Sequence, residues 1–135
     1  MKAYVLDASA VLAWLWQENG AERVVDLLIE GGCHLSSVNL AEVVTKALDK
    51  GLPPERVPEL VASLDMTMAP LETADAVEVA LLRPATRHLG LSLGDRACLA
   101  LAKTKSAIAV AADRSWTRID PVLGIEIECI RGDTS

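Results

Sequence analysis

Four acidic residues stand where an α/β chain would bring them together. Asp7 ends the apolar run of KAYVLDASAVLAWLW, and Asp113 ends that of AIAVAADRSW. Glu42 lies within the helix-forming SSVNLAEVVTKALDKG, and Asp95 opens a second helical stretch in SLGDRACLALA. Ligands of open parallel sheets gather beyond the carboxyl ends of the strands, so carboxylates ending two neighbouring strands face one crevice. Like charges held there repel, and a hard cation such as Mg²⁺ or Mn²⁺ relieves the repulsion with oxygen ligands alone. The quartet therefore predicts a divalent-metal site. Each member also has an ordinary explanation: Asp7 and Asp113 as helix caps, Asp95 as part of a Ser92-Leu93-Gly94-Asp95 capping box, and Glu42 as a surface partner of Lys46 one turn on. Those explanations do not account for all four falling at element ends or on inner faces.

The elements that would position them follow from hydrophobic period and punctuation. Strands are expected near residues 2–7, 33–36, 66–70, 108–112 and 125–130. Helices are expected near 9–17, 20–31, 38–50, 54–65, 72–89 and 93–105, with a short turn or helix at 114–120. Gly31-Gly32, Gly51-Leu52-Pro53-Pro54 and Gly90 act as stops, and Pro84 kinks or divides the fifth helical segment. Strands alternating with helices point to βα units around a parallel sheet. At 135 residues the chain is one domain in size, read as a single unit over 1–130 with a short tail at 131–135.

Composition narrows the function. Hydrophobic residues make up 51% and mean hydropathy is +0.29, yet no apolar run reaches the roughly 20 residues a membrane helix requires. The first residues lack the basic start and cleavage site of a secretory signal, so a cytoplasmic protein is expected. Cys33, Cys98 and Cys129 are widely spaced, which argues against a disulfide framework and against a zinc site. His34 and His88 are equally isolated. A formal charge of −6 excludes a general nucleic-acid coat protein, since sequence-independent affinity for phosphate comes from Lys and Arg. Nucleic acid would have to be held locally, by metal and by a few cations. Arg96 and Arg114 each follow a proposed ligand, and Lys46 and Lys50 lie one and two turns beyond Glu42, so these four are the candidates for holding the nucleic acid's phosphates; the alternative for each is plain solvated surface charge. Trp14 and Trp16 are two of only three tryptophans, and on a helix they point about 200° apart. Both cannot face one core, which leaves at least one for a groove or interface.

With VLDASAVLAWL, the Glu of NLAEVV, GLSLGDRACLALA and AVAADRSW in order, the sequence resembles the PIN-domain nucleases, and among them the VapC-type toxins of prokaryotic toxin–antitoxin pairs. The likeness spans nearly the whole chain. It implies a three-layer α/β fold whose five-stranded parallel sheet has the order 3-2-1-4-5, with metal-ligand and catalytic roles for Asp7, Glu42, Asp95 and Asp113. The activity implied is Mg²⁺- or Mn²⁺-dependent hydrolysis of RNA phosphodiester bonds, transfer RNA being a frequent target in the family. Also implied are a homodimer and a cognate antitoxin whose C-terminal segment enters an apolar groove, for which Trp14 and Trp16 are the candidate lining residues. One departure stands out: many relatives carry Thr two residues before the last Asp, where this chain has Ala111. Ser9 and Ser115 are the nearest hydroxyls that could replace it, and Ser9 is equally an N-cap. A receiver-like phosphotransfer domain would want adjacent acids after the first strand and an Asp after the third, whereas Asp7 is followed by Ala8-Ser9 and the third strand ends in Ala69-Pro70. A haloacid-dehalogenase-type phosphatase would want D-x-D, which Ser9 breaks. A PIN fold kept only as a binding module is disfavoured by four intact carboxylates.

Overall fold

In the computed structural model, residues 2–131 are described, and five short strands form one parallel sheet in the order β3-β2-β1-β4-β5. These are β1 (Tyr4–Leu6), β2 (Cys33–Ser36), β3 (Thr67–Ala69), β4 (Ile108–Ala111) and β5 (Ile127–Cys129). Seven α-helices accompany them among the described residues: α1 (Ala8–Leu15), α2 (Ala21–Glu30), α3 (Ser37–Asp49), α4 (Val57–Ser63), α5 (Thr73–Leu81), α6 (Arg83–Thr86) and α7 (Leu93–Lys105). The expected strands are present with ends trimmed by at most two residues, α1 and α3 begin one residue early, and the helices expected at 54–65 and 72–89 are partly 3₁₀, over Pro54–Arg56 and Arg87–Leu89. Pro84 divides the fifth segment as its missing N–H requires, with α5 ending at Leu81 and α6 restarting at Arg83. The segment at 114–120 contains a 3₁₀ turn over Arg114–Arg118.

The sheet is buried on both faces because β1 alternates between them. Tyr4 and Leu6 join Val110, Val11, Val24, Leu27 and Val43 on one side, while Val5 joins Ala109, Val79, Leu99 and Trp116 on the other. Parallel sheets covered by helices on both faces read as continuous apolar runs, and β1 and β4 are buried at every position. β1 lies at the centre, with β2 on one side and β4 on the other, and Leu6 is level with Val110. The chain reverses its direction of strand addition at the β1/β4 junction, which is where the crevice of an open α/β sheet forms. Asp7 directly follows β1 there, and Asp113 lies two residues beyond the end of β4.

No described helix is long and apolar enough to cross a membrane. The proposed tail at 131–135 lies outside the described residues except for Arg131, which pairs with Glu18 at 3.2 Å and so is tied to the body of the fold.

Trp116 is the largest fully enclosed side chain and closes the second core beneath β4. Trp116→Ala is expected to cost about 3–5 kcal/mol of unfolding free energy, read as a lower midpoint in urea denaturation. A loss below 1 kcal/mol would mean that this layer does not support the sheet.

Candidate metal and nuclease site

Three of the four carboxylates are held at the start of a helical element, Asp7 and Asp113 as N-caps and Asp95 within a first turn. Asp7 caps α1: its Oδ2 accepts from the Ser9 amide at 3.0 Å and from the Ser9 hydroxyl at 2.6 Å. Asp95 forms a capping box with Ser92 at the start of α7, its Oδ2 accepting from the Ser92 amide at 2.9 Å. Asp113 caps the 3₁₀ turn through a 2.9 Å bond from the Ser115 amide. Glu42 projects from the middle of α3, where Asn39 Nδ2 donates to its Oε1 at 2.9 Å. The ordinary capping roles are thus all present. They do not explain the burial of Asp7, which is 3% exposed with an Oδ1 that lacks a hydrogen-bond partner among the described residues. A helix cap functions as well in water, whereas an orphaned carboxylate oxygen inside a protein is costly.

The electrostatics show which acids meet. Burial pushes the Asp7 carboxyl up to about 7; Asp95 and Glu42 push it the same way, while the bonds from Ser9 pull it back. The buried Cys98 thiol is also raised, first by burial and then by the same three carboxylates. Asp7, Glu42 and Asp95 therefore share one field. Asp113 is exposed and sits at the rim, lining with Ser9 a groove of about 550 Å³. Among the described residues no three Asp, Glu, His or Cys side chains close into a ready-made cage. Mutual repulsion favours splayed carboxylates in the absence of a counter-charge. The donor set still fits a hard divalent cation: oxygen ligands only, one of them buried and unsatisfied.

Ser9 joins the two strand ends. Its hydroxyl donates to Asp7 and accepts from the Ala112 amide at 3.0 Å, so the turn after β1 is fastened to the residue preceding Asp113. The side chain of Ala111 is fully enclosed in the apolar layer with Trp116, where a hydroxyl would need a partner. Ser115 supports Asp113 through its backbone.

The remaining candidates separate. Arg114 lines the groove beside Asp113. Arg96 donates to the Val79 carbonyl of α5 at 3.1 Å, so its guanidinium is engaged in packing α7 onto α5. Lys46 is exposed in the last turn of α3. The Lys50 ammonium lies 4.1 Å from the centroid of the Trp16 ring. Trp14 packs against the first core, whereas Trp16 lines the groove with Ser9, Leu12 and Asp113. Trp16 is the C-cap of α1, where the chain leaves the helix, and the two tryptophans serve different surroundings. Two residues escaped the sequence reading: Asn39, which is fully buried and bonded to Glu42, and Gly94, whose missing Cβ leaves room for the Glu42 carboxylate. Their signals were an Asn one turn before the acid and a glycine inside the first turn of a helix.

A PIN-domain model matches residues 4–121, a span that contains all four carboxylates. The chain belongs to the PIN-domain family. Comparison with curated proteins gives no match. Among solved structures, this PIN domain is similar to a DNA-bound VapBC from Salmonella typhimurium, with TM-score 0.71 and 21% identity over 96% of this chain and 99% of that one. VapBC-5 from Mycobacterium tuberculosis gives TM-score 0.65 and 23% identity over 96% and 99%. FitAcB from Neisseria gonorrhoeae gives 0.66 and 17% over 96% and 99%. These likenesses establish the fold.

Because Asp7 titrates near 7 in the folded chain and near 3.8 when unperturbed, the folded state holds an extra proton between those values. Stability from this group is therefore present at low pH and lost as pH rises from about 4 to about 7. In the metal-free protein Asp7→Asn is expected to raise unfolding free energy at pH 7.5 by on the order of 4 kcal/mol and to flatten the pH dependence, as measured by denaturation at pH 5 and 7.5. A variant less stable than wild type at pH 7.5 would contradict the stored repulsion.

Proposed function

We propose that the protein is a Mg²⁺- or Mn²⁺-dependent endoribonuclease toxin, kept silent by a cognate antitoxin. The observation that carries this reading is the buried, half-satisfied Asp7 in the shared field of Glu42 and Asp95, at the switch point of a PIN fold. Asp7, Asp95 and Asp113 would hold the cation, with Glu42 binding it directly or through water. When bound, the cation supplies charge neutralisation at the scissile phosphate and a lowered pKa for the attacking water. The chain's own residues supply position: Ser9 fixes Asp7 and ties it to the Asp113 turn, and Ser115 orients Asp113. Phosphates on either side of the cut fall to Arg114, Lys46 and Lys50. RNA is the substrate that the sequence resemblance implies, and unpaired RNA loops, as in transfer RNA, suit a groove with one aromatic wall.

Inhibition by a partner fits the same groove. Its walls combine Leu12 and Trp16 with Asp113 and Arg114, which suits an apolar peptide that brings one cation to the acidic end. The VapBC and FitAB relatives were solved as complexes. A self-paired toxin agrees with the exposed Val77 and Leu81 of α5 and Leu93 of α7.

The direct test is cleavage of RNA with Mg²⁺, Mn²⁺ or EDTA. Asp7→Asn, Asp95→Asn and Asp113→Asn are each expected to lower the metal-dependent rate by at least about 100-fold with the fold intact. Wild-type rates in any two of them would sink the site assignment. For the partner, Trp16→Ala is expected to weaken antitoxin binding by more than about 2 kcal/mol, and Trp14→Ala by less, both read by calorimetry. Equal, negligible losses would move the antitoxin to another face.

A further inference from the structure

We propose that Asn39 is a positioning residue that holds Glu42 for the cation, and that Gly94 is the socket this positioning requires. The proposal rests on the metal-site reading above. Asn39 precedes Glu42 by one turn on α3 and is fully buried. Its Nδ2 donates to Glu42 Oε1 at 2.9 Å and to the Gly94 carbonyl at 3.0 Å. One amide group thus fastens the acid of α3 to the first turn of α7, one residue before Asp95.

The chemistry calls for that residue type. A glutamate has three side-chain torsions and two acidic neighbours here, so without a tether it gains both entropy and relief from repulsion by swinging into water. A carboxamide nitrogen carries two N–H groups, and each meets one of the two acceptors. Aspartate would put an acceptor against two acceptors, and serine has only one proton to donate. With Oε1 engaged by Asn39, Oε2 is the oxygen available to the cation or to its water. The Asn39 Oδ1 is buried without a hydrogen-bond partner among the described residues, so the amide is held there for what it donates.

Gly94 supplies the second, independent observation. A Cβ built there would coincide with the Glu42 carboxylate. Glycine is among the poorest helix formers, and Gly94 lies inside the first turn of α7 with no unusual backbone angle that would demand it. The approach of Glu42 is the physical reason for a missing side chain. The ordinary alternative is that Asn39 simply clamps α3 to α7. That role would lower stability on substitution and leave cation affinity untouched.

The experiment is a double-mutant cycle on the full chain, with the Mn²⁺ dissociation constant as readout and folding checked by circular dichroism. Asn39→Ala is expected to weaken Mn²⁺ binding by roughly 10–100-fold, the range for outer-shell partners of metal ligands. In a Glu42→Ala background the same substitution should change affinity by no more than about twofold, because its target is gone. Gly94→Ala is expected to behave in the same way, and it carries the comparison if Asn39→Ala does not fold. Wild type that binds Mn²⁺ while both variants bind it equally well overturns this proposal alone, as does an equal loss with and without Glu42. Wild type that binds no Mn²⁺ overturns the metal-site reading and this proposal with it.

Discussion

The structure is organised around a carboxylate that the fold does not satisfy. Asp7 is buried at the end of the central strand, with one oxygen anchored by Ser9 and the other without a partner among the described residues. Nothing in helix capping demands that burial. Water would solvate an exposed cap at no cost, whereas a buried acid beside two others destabilises the folded chain at neutral pH. The rest of the fold must over-determine the geometry: a central strand enclosed on both faces, a hydroxyl bridging to Ala112, and two helices entering with their acids toward the same field. A site that opposes folding in this way is poised to gain from a cation, because the repulsion is removed at the moment of binding.

Around that point the architecture divides labour by face. One core, containing Leu6, Val24 and Leu27, holds α1 and α2 and leaves Trp16 outside it as a groove wall. The other, containing Val5, Leu99 and Trp116, holds α7 and sets Asp95 at its first turn. Arg96 belongs to this second packing through its bond to Val79, which shows how a cation adjacent to a candidate ligand can serve structure. Lys50, two turns from Glu42, is likewise engaged, its flexible stem letting the ammonium settle over the face of Trp16.

Much of this was legible in the chain. The period of the apolar runs and the Gly and Pro stops specify strands and helices locally, since backbone preference and turn chemistry act within a few residues. The same locality explains why Asp7, Asp95 and Asp113 were visible as caps, and why Pro84 was visible as a break: each is a contact between near neighbours. That Trp14 and Trp16 would not share one core was expected from helix geometry. Family likeness carried the sheet order, which local pattern cannot supply.

What required the tertiary structure lies in contacts between distant segments. Asn39 and Gly94 are 55 positions apart, and nothing in either segment alone announces that one amide joins them or that a side chain from α3 occupies the space of a missing Cβ on α7. The burial of Asp7 and the upward push on its carboxyl are likewise properties of packed neighbours. Which tryptophan faced the groove, and which arginine was engaged in packing, depended on the faces α1 and α7 turn toward the sheet. Sequence determined by itself which residues could cap, break or ligate, because those capacities reside in the side chain and its near neighbours. Tertiary structure decided which of those capacities are left unsatisfied, because satisfaction depends on what the folded chain places opposite each group.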